Sequence, residues 1–418
     1  MTQIVAVHSA FPAHRHPQAD LTQAVASLAG MDASTDGANR PGAVDGAGRA
    51  DGAGGPGLID AAGGAGQADG TGQPSGTGRA SGKGRGAGSK QRALLERLHA
   101  NAGVDTRHTA LPLADYGALG AAANDRYIEE ATALGERALR GALAESGLDA
   151  SDLDLLIVTS VTGVAVPSLD ALLMPRLGLR SDVKRLPVFG LGCVAGAAGL
   201  ARLHDYLLGW PRHTAALLAV ELCSLSLPRS SVTTADLVAS ALFGDGAVAL
   251  VATGRRARAG SDRRRRAQPP PVPALPRVIA TRSEVYPDSG GALGWRLSPD
   301  GFRIVLTAEL AEVVERRLGE SATGFLAEHG LTVDDIGTWI CHPGGPKVLD
   351  AAQRALKLPA GALASSRRSL AQAGNMSSAS VLHILELTVA DNAPAAGSFG
   401  MMIGLGPGVS AELVLLRW

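Results

Sequence analysis

The stretch Pro187-Val-Phe-Gly-Leu-Gly-Cys-Val-Ala-Gly-Ala-Ala-Gly-Leu200 decides how the rest of the chain is interpreted. The apolar run over 186–191 predicts a buried strand that stops at Gly192, and small residues then lead into a helical pattern at Leu200, Leu203 and Leu207. Cys193 is therefore expected where a strand meets a helix N-terminus. Unpaired N–H groups and the helix dipole favour a thiolate at such a position. The alternative is a buried structural cysteine, since free Cys is among the most buried residue types.

Strands and helices alternate on both sides of this stretch. The predicted strands of the first part are 153–160, 215–221 and 246–251. The second part repeats the outline, with strands predicted over 278–284, 338–341 and 397–404. This alternation predicts an α/β fold in packed layers, made of two similar halves. We expect an N-terminal half over 1–254 that carries Cys193 and a C-terminal half over 278–418.

Two segments depart from this pattern. Residues 31–90 hold 19 of the chain's 54 glycines and few large apolar residues, which predicts a disordered Gly-rich insertion. Residues 255–277 contain eight arginines and five prolines, which predicts a solvated linker between the halves. A basic patch for a phosphorylated partner is the alternative for this second segment.

The composition excludes several classes of protein. The 418 residues are 45% hydrophobic with a formal net charge of zero, so nothing in the whole-chain charge favours nucleic acid as a partner. Three cysteines, at positions 193, 223 and 341, form neither a disulfide framework nor a metal-ligand pattern, which favours a reducing cytoplasm. No secretory signal and no run of about 18 apolar residues is present, so we expect a cytoplasmic protein without a membrane span.

Two polar residues in the C-terminal half complete a possible site. His342 follows a predicted strand in Trp339-Ile-Cys-His-Pro-Gly-Gly-Pro-Lys347, and Asn375 precedes an apolar helix in Ala373-Gly-Asn-Met-Ser-Ser-Ala-Ser380. Taken alone, the histidine fits ordinary packing and the asparagine fits a helix cap. With Cys193 they suggest a thiolate–imidazolium pair beside N–H donors for an oxyanion. This set predicts acyl transfer with decarboxylative carbon–carbon bond formation.

Five stretches now carry a family resemblance. They are Gly190-Leu-Gly-Cys-Val-Ala-Gly196, Ala241-Leu-Phe-Gly-Asp-Gly-Ala247, His342-Pro-Gly-Gly-Pro346, Gly374-Asn-Met-Ser-Ser-Ala379 and Gly404-Leu-Gly-Pro-Gly408. In these the chain resembles the type III polyketide synthases, the chalcone synthase-like family. The resemblance covers about residues 1–30 and 91–418. It implies a thiolase-like layered αβαβα fold and a homodimer.

The resemblance also implies roles for individual residues. Cys193 would carry the acyl group, and His342 with Asn375 would form the decarboxylation and oxyanion site. Phe243 matches the family's gatekeeper phenylalanine, and the second gatekeeper position appears as Ile304. Val166 would reach the cavity of the partner subunit. The other positions expected to line the cavity are Val161, Thr162, Cys223, Ser226, Ala239, Trp295 and Ser377.

Coenzyme A recognition matches the family only in part. Arg97 falls at one of three basic positions, whereas Leu94 and Asn101 occupy the other two. Arg107 or Lys90 could compensate. The expected partners are acyl-CoA and malonyl-CoA, and no metal or further cofactor is expected.

The resemblance implies that an acyl-CoA starter is loaded on Cys193, extended with malonyl-CoA, and cyclised. The residues at 295 and 304 are similar to those of enzymes that make alkylpyrones or alkylresorcinols. The stretch Glu221-Leu-Cys-Ser-Leu225 favours the alternative of a tetrahydroxynaphthalene-type synthase that uses malonyl-CoA only. An initiating ketoacyl-ACP synthase and a catalytically silent thiolase-fold scaffold are the remaining alternatives.

Overall fold

The computed structural model describes residues 1–31, 83–226, 232–256, 275–298, 301–307, 309–391 and 393–418. The strands are β1 Thr2–Ala10, β2 His14–Pro17, β3 Thr106–Thr109, β4 Leu155–Thr159, β5 Lys184–Val188, β6 Thr214–Leu222, β7 Asp245–Gly254, β8 Arg277–Val285, β9 Leu293–Ser298, β10 Gly301–Leu306, β11 Ile336–Cys341, β12 Phe399–Gly406 and β13 Ser410–Arg417. The helices are α1 Gln18–Leu28, α2 Lys83–Ala100, α3 Ala123–Ser146, α4 Leu169–Leu177, α5 Ala195–Gly209, α6 Thr234–Leu242, α7 Glu309–Ala327, α8 Pro346–Ala355, α9 Ala364–Ala373 and α10 Ala379–Asp391. None of the helices in these segments is both long and apolar enough to cross a bilayer.

One nine-stranded sheet forms the frame, in the order β11-β12-β13-β8-β1-β7-β6-β4-β5. In the first half β4 is parallel to β6, and β6–β7 and β7–β1 are antiparallel. The second half repeats these pairings, because β11 is parallel to β12 while β12–β13 and β13–β8 are antiparallel. The halves join where β1 pairs with β8. The repeated topology agrees with a fold of two similar halves.

Helices cover the sheet on both faces. The side chains of α5 and α10 pack in one cluster with strands from both halves, including Ile157 and Leu217 of the first and Ile340 and Met402 of the second. Helices α3 and α4 cover the other face of the first half, and α7 and α8 cover that of the second. All nine residues of β6 are buried, as expected for a strand that is covered on both faces. Helices α5 and α10 therefore lie between the two halves of the sheet, and α3, α4, α7 and α8 lie outside them. The layers run αβαβα in this order.

Two sequence predictions need correction. The apolar run over 186–191 is not a buried strand: β5 ends at Val188, and Phe189 is 56% exposed. The reason is position, because β5 is the edge strand of the sheet among the described residues. The predicted insertion over 31–90 lies mostly outside the described residues, but Met31 is buried beside Leu95 and α2 begins at Lys83. The proposed boundaries of the halves and of the 255–277 linker stay predictions.

Candidate active site

Cys193 lies in a single helical turn, Gly192–Val194, directly before α5. The turn needs glycine at 192, because φ there is +57° and an added Cβ would lie 2.6 Å from Cγ of Pro407. The thiol is buried, and its Sγ lies 3.4 Å from Oγ of Ser377. The nucleophile predicted from the sequence therefore faces the loop that carries Asn375.

Close backbone packing brings α5 to that loop. A Cβ on Gly196 would lie 2.1 Å from the carbonyl oxygen of Ser378, so only glycine allows this approach. Asn375 is buried, and its Oδ1 accepts a hydrogen bond of 2.8 Å from the backbone N–H of Ser377. Because Oδ1 is occupied in this way, the Nδ2 group is the part of the carboxamide that can donate to a ligand.

His342 follows β11 directly, and its backbone N–H donates to the carbonyl of Ile403 in β12 at 2.9 Å. The end of β12 also touches the turn of Cys193, since a Cβ on Gly406 would lie 2.8 Å from the backbone nitrogen of Val194. The imidazole is 2% exposed, and its Nδ1 has no hydrogen-bond partner within the described segments. An unpaired buried ring nitrogen is costly, and it fits an atom that bonds to a substrate.

The loop after His342 also adjoins the backbone that holds Asn375. A Cβ on Gly345 would lie 3.4 Å from the side chain of Leu242. The carbonyl of Leu242 accepts from the N–H of Asn375 at 2.8 Å, and the N–H of Gly244 donates to the carbonyl of Asn375 at 3.0 Å. The segments that bear Cys193, His342 and Asn375 thus meet at one place.

Burial dominates the electrostatics of this place. It raises the pKa of Cys193 to about 12, while the hydrogen bond to Ser377 acts in the opposite direction. Burial also lowers the pKa of His342 to about 3. Burial thus favours the uncharged form of both groups. The expected thiolate–imidazolium pair stays a prediction.

A pair of aromatic side chains lies next to Asn375, since Phe243 forms an isolated backbone bridge with Asn375. Phe243 caps the C-terminus of α6 and is half-buried. Its ring centroid lies 6.3 Å from that of Trp295, with the planes tilted by 50°. Ile304 pairs with Trp295 across the β9–β10 hairpin and is buried. The structure therefore brings Trp295, predicted to line the cavity, next to the predicted gatekeeper Phe243 and to Ile304 at the second gatekeeper position.

The predicted cavity wall is mostly buried as well. Val161, Thr162, Cys223 and Ser377 are buried. Ser226 and Ala239 are half-buried.

Glu221 is a residue of this wall to which the sequence analysis gave no role. Its carboxylate is fully buried at the end of β6 and accepts hydrogen bonds from Oγ of Ser378 at 2.5 Å, Oγ1 of Thr162 at 3.0 Å and the N–H of Val161 at 3.1 Å. Burial raises its pKa. The signal was an acidic residue at the end of an otherwise apolar strand.

The remaining predicted residues differ in their exposure. Val166 is 92% exposed. Arg97 and Lys90 are exposed on α2. Arg107 is only 2% exposed, so it cannot compensate as a surface cation for coenzyme A. Within the described part of the chain, no group of three or more His, Cys, Asp or Glu is placed to hold a metal ion.

Two family models match the chain. The model of the N-terminal domain of chalcone and stilbene synthases matches residues 92–255, and that of their C-terminal domain matches residues 277–418. The 1,3,6,8-tetrahydroxynaphthalene synthase of Streptomyces peucetius subsp. caesius is 49% identical, with 100% of this chain and 93% of that protein covered. A putative chalcone synthase of Bacillus subtilis (strain 168) is 32% identical, with 71% of this chain and 80% of that protein covered.

Solved structures show the same fold. The crystal structure of 1,3,6,8-tetrahydroxynaphthalene synthase from Streptomyces coelicolor A3(2), a bacterial type III polyketide synthase, matches with a TM-score of 0.78. The match covers 100% of this chain and 99% of that one at 24% identity. The prediction of a thiolase-like layered α/β fold is confirmed.

Proposed function

This chain belongs to the chalcone and stilbene synthase family and is a type III polyketide synthase, and we propose that Cys193, His342 and Asn375 carry its chemistry. The supporting observation is that the turn of Cys193 contacts the loop 374–379 directly, while the loop after β11 adjoins them through the end of β12 and through Leu242. The family membership removes the alternatives of an initiating ketoacyl-ACP synthase and a silent scaffold. As a polyketide synthase the protein is an acyltransferase.

Loading begins with attack of the Cys193 sulfur on the carbonyl carbon of a CoA thioester. The new carbon–sulfur bond forms as the bond to the sulfur of coenzyme A breaks. We propose that the thiol proton passes to the imidazole of His342 during the attack and then to the departing thiolate of coenzyme A, since burial favours the protonated thiol. Burial keeps His342 in the neutral form that can accept this proton.

Extension requires a carbanion, which malonyl-CoA supplies when it loses CO2. The electron pair of the broken carbon–carbon bond becomes an enolate, and the N–H groups of His342 and Asn375 donate to its oxygen. The enolate carbon then attacks the thioester on Cys193. A carbon–carbon bond forms, and the Cys193 sulfur leaves as a thiolate that takes up a proton from solvent.

For the product, we favour the tetrahydroxynaphthalene type made from malonyl-CoA alone. The support is the 49% identity to a tetrahydroxynaphthalene synthase across the whole chain. The packing of Trp295 on Phe243 agrees with this choice, because bulky rings at the entrance disfavour a long acyl starter. An alkylpyrone or alkylresorcinol from a fatty acyl starter is the second candidate, favoured by Ile304 in place of the second gatekeeper phenylalanine.

Incubation of the purified protein with malonyl-CoA alone distinguishes the two products. We expect a polyhydroxylated naphthalene by mass spectrometry, absent with Cys193→Ala. A second reaction adds fatty acyl-CoA starters of increasing length. If product forms only when a fatty acyl-CoA is present, the second candidate is correct and the first is wrong.

Two further features belong to this proposal. We place coenzyme A beside Arg97, because α2 packs on α6 through a 3.2 Å hydrogen bond between His99 and Ser240, close to Phe243 in sequence. We also propose a homodimer, supported by the exposed apolar side chains on and beside the edge strand β5 and on the 163–166 turn: Val164, Val166, Leu186, Phe189 and Leu191. Val166 would then extend into the partner subunit.

A further inference from the structure

Arg107 is a buried cation to which the mechanism above gives no role. It lies on β3 and is 2% exposed. Its Nη1 donates a 2.6 Å hydrogen bond to the carbonyl oxygen of Phe243. Its Nε and Nη2 are buried without a hydrogen-bond partner among the described residues. A guanidinium held in this way is costly, and a packed apolar side chain would avoid the cost.

The bond from Arg107 reaches the backbone that holds Asn375. Residues 242–244 bond to Asn375 through the carbonyl of Leu242 and the N–H of Gly244. The carbonyl of Phe243, between these two groups, is the one that Arg107 takes. One short segment is thus fixed from one side by Asn375 and from the other by the guanidinium.

The stem of Arg107 packs against the same loop. A Cβ on Gly374 would lie 2.9 Å from Cδ of Arg107 and 2.7 Å from the carbonyl oxygen of Leu242. Gly374 has φ of +72°, a conformation that favours glycine. Its lack of a side chain leaves room for the arginine. Asn375 follows directly, and its placement therefore depends on how Arg107 fills this space.

The positive charge of Arg107 is only partly compensated. Asp245 is its buried electrostatic partner, but the oxygens of Asp245 accept hydrogen bonds from the N–H groups of Ser224 and Ala110 at 2.7 Å. Burial lowers the pKa of Arg107 only to about 10, so the group remains charged at neutral pH. A cation thus stands behind the wall that carries Phe243 and Asn375.

We infer that Arg107 is a positioning residue of the condensation step: it holds the Phe243 carbonyl, and through the 242–244 segment it sets the donor of Asn375 where the enolate oxygen forms. The inference rests on the proposed roles of Cys193 and Asn375. It predicts that Arg107 acts on decarboxylation and extension, while the loading of Cys193 depends on it little. A purely structural arginine would affect both steps together.

The test separates these steps in Arg107→Lys, which keeps a charge but loses the planar fork. We expect the rate of CO2 release from malonyl-CoA and kcat of product formation to fall about 10- to 100-fold. This decrease is no larger than the one caused by removal of an oxyanion donor. Loading of Cys193, followed by intact-protein mass spectrometry, should stay within about threefold, with KM for malonyl-CoA little changed. The matched control is Arg137→Lys, because Arg137 also donates to a backbone carbonyl at 2.6 Å, that of Phe11.

Gly374→Ala is the second variant, since its Cβ would lie 2.9 Å from Cδ of Arg107 and displace that side chain while the arginine itself is retained, and it should show the same split. Equal loss of loading and decarboxylation in the two variants, or no loss in either, would overturn the inference. The proposed function is judged separately by Cys193→Ala and Asn375→Ala. Loading that persists in the first, or normal decarboxylation in the second, contradicts the proposed function itself.

Discussion

The sulfur of Cys193 and the hydroxyl of Ser377 lie 3.4 Å apart, although 184 residues separate them in the chain. Ser377 has φ of +49°, a left-handed conformation that is uncommon outside glycine. Its own N–H is held by the side chain of Asn375. One short turn therefore fixes both a partner of the nucleophile and the proposed oxyanion donor.

Cys193→Ala should abolish acyl loading and leave the fold intact. The side chain is small and the change removes only the thiol, so we expect a loss of stability of about 1 kcal/mol. Intact-protein mass spectrometry after incubation with acyl-CoA measures the loading. Cys341→Ala is the control, because Cys341 is also a fully buried thiol, and this variant should still show the acyl adduct. Product formation at a near-normal rate by Cys193→Ala would remove this residue as the nucleophile.

Ser377→Ala should slow loading without abolishing it. The hydroxyl helps to keep the pKa of Cys193 from rising further, and its removal leaves the buried thiol with one polar neighbour fewer. A hydrogen bond of this kind contributes about 1 kcal/mol, which corresponds to about a fivefold slower loading rate. Stopped-flow release of coenzyme A measures the rate. An unchanged rate would mean that the Cys193–Ser377 contact does not matter for the reaction.

Much of the site could be predicted from the sequence, because each catalytic candidate stands in a Gly-rich turn at the end of a strand or the start of a helix. What the sequence could not show was burial. An arginine is normally expected on the surface because of its charge, yet the side chain of Arg107 is buried and fills the space left by Gly374. Conversely, the apolar run over 186–191 has the pattern of a core strand but begins in β5, the exposed edge strand of the sheet in the described part of the chain. Both depend on contacts between distant segments, which a local pattern does not contain.

Trp295→Gly should widen the entrance and shift the enzyme towards longer starters. The indole is half-buried against Phe243, so its removal opens space beside the gatekeeper ring. We expect a several-fold gain in product from medium-chain acyl-CoA relative to malonyl-CoA alone, measured by mass spectrometry of competing reactions. Trp210→Gly is the control, because Trp210 follows the C-terminus of α5, is 50% exposed and packs beneath Lys184. An unchanged product spectrum in Trp295→Gly would show that this ring does not limit the starter.

Asp245 should make the fold less stable as pH rises. Burial raises its pKa to about 7, whereas an unfolded aspartate ionises near 4. Below about pH 4 the contribution of Asp245 to the free energy of unfolding is fully present. This contribution is lost as pH rises through about 7, because in that range only the folded chain still holds the proton. The loss amounts to about 3 kcal/mol between pH 5 and pH 8.

Denaturant unfolding at the two pH values measures this loss. Asp245→Asn stays neutral, so the difference in unfolding free energy between pH 5 and pH 8 should shrink in this variant. Asp205→Asn, at an exposed position, should behave as the parent does. The same pH difference in Asp245→Asn and the parent would contradict the assignment.

Phe189→Asp should weaken the proposed homodimer. Phe189 directly follows the edge strand β5 and is 56% exposed, and Leu186 and Leu191 on either side are about equally open to solvent. Among the described residues β5 is the last strand of the sheet, and a strand edge with exposed apolar side chains favours association with a second chain. A carboxylate buried at that interface would oppose the association. We expect the parent to sediment as a dimer in analytical ultracentrifugation and the variant to shift towards monomer by at least tenfold in dissociation constant. Val285→Asp, at a 73% exposed position in the other half, is the matched control and should remain dimeric. A monomeric parent would contradict the proposed homodimer, and a Phe189→Asp dimer as tight as the parent would place the interface elsewhere.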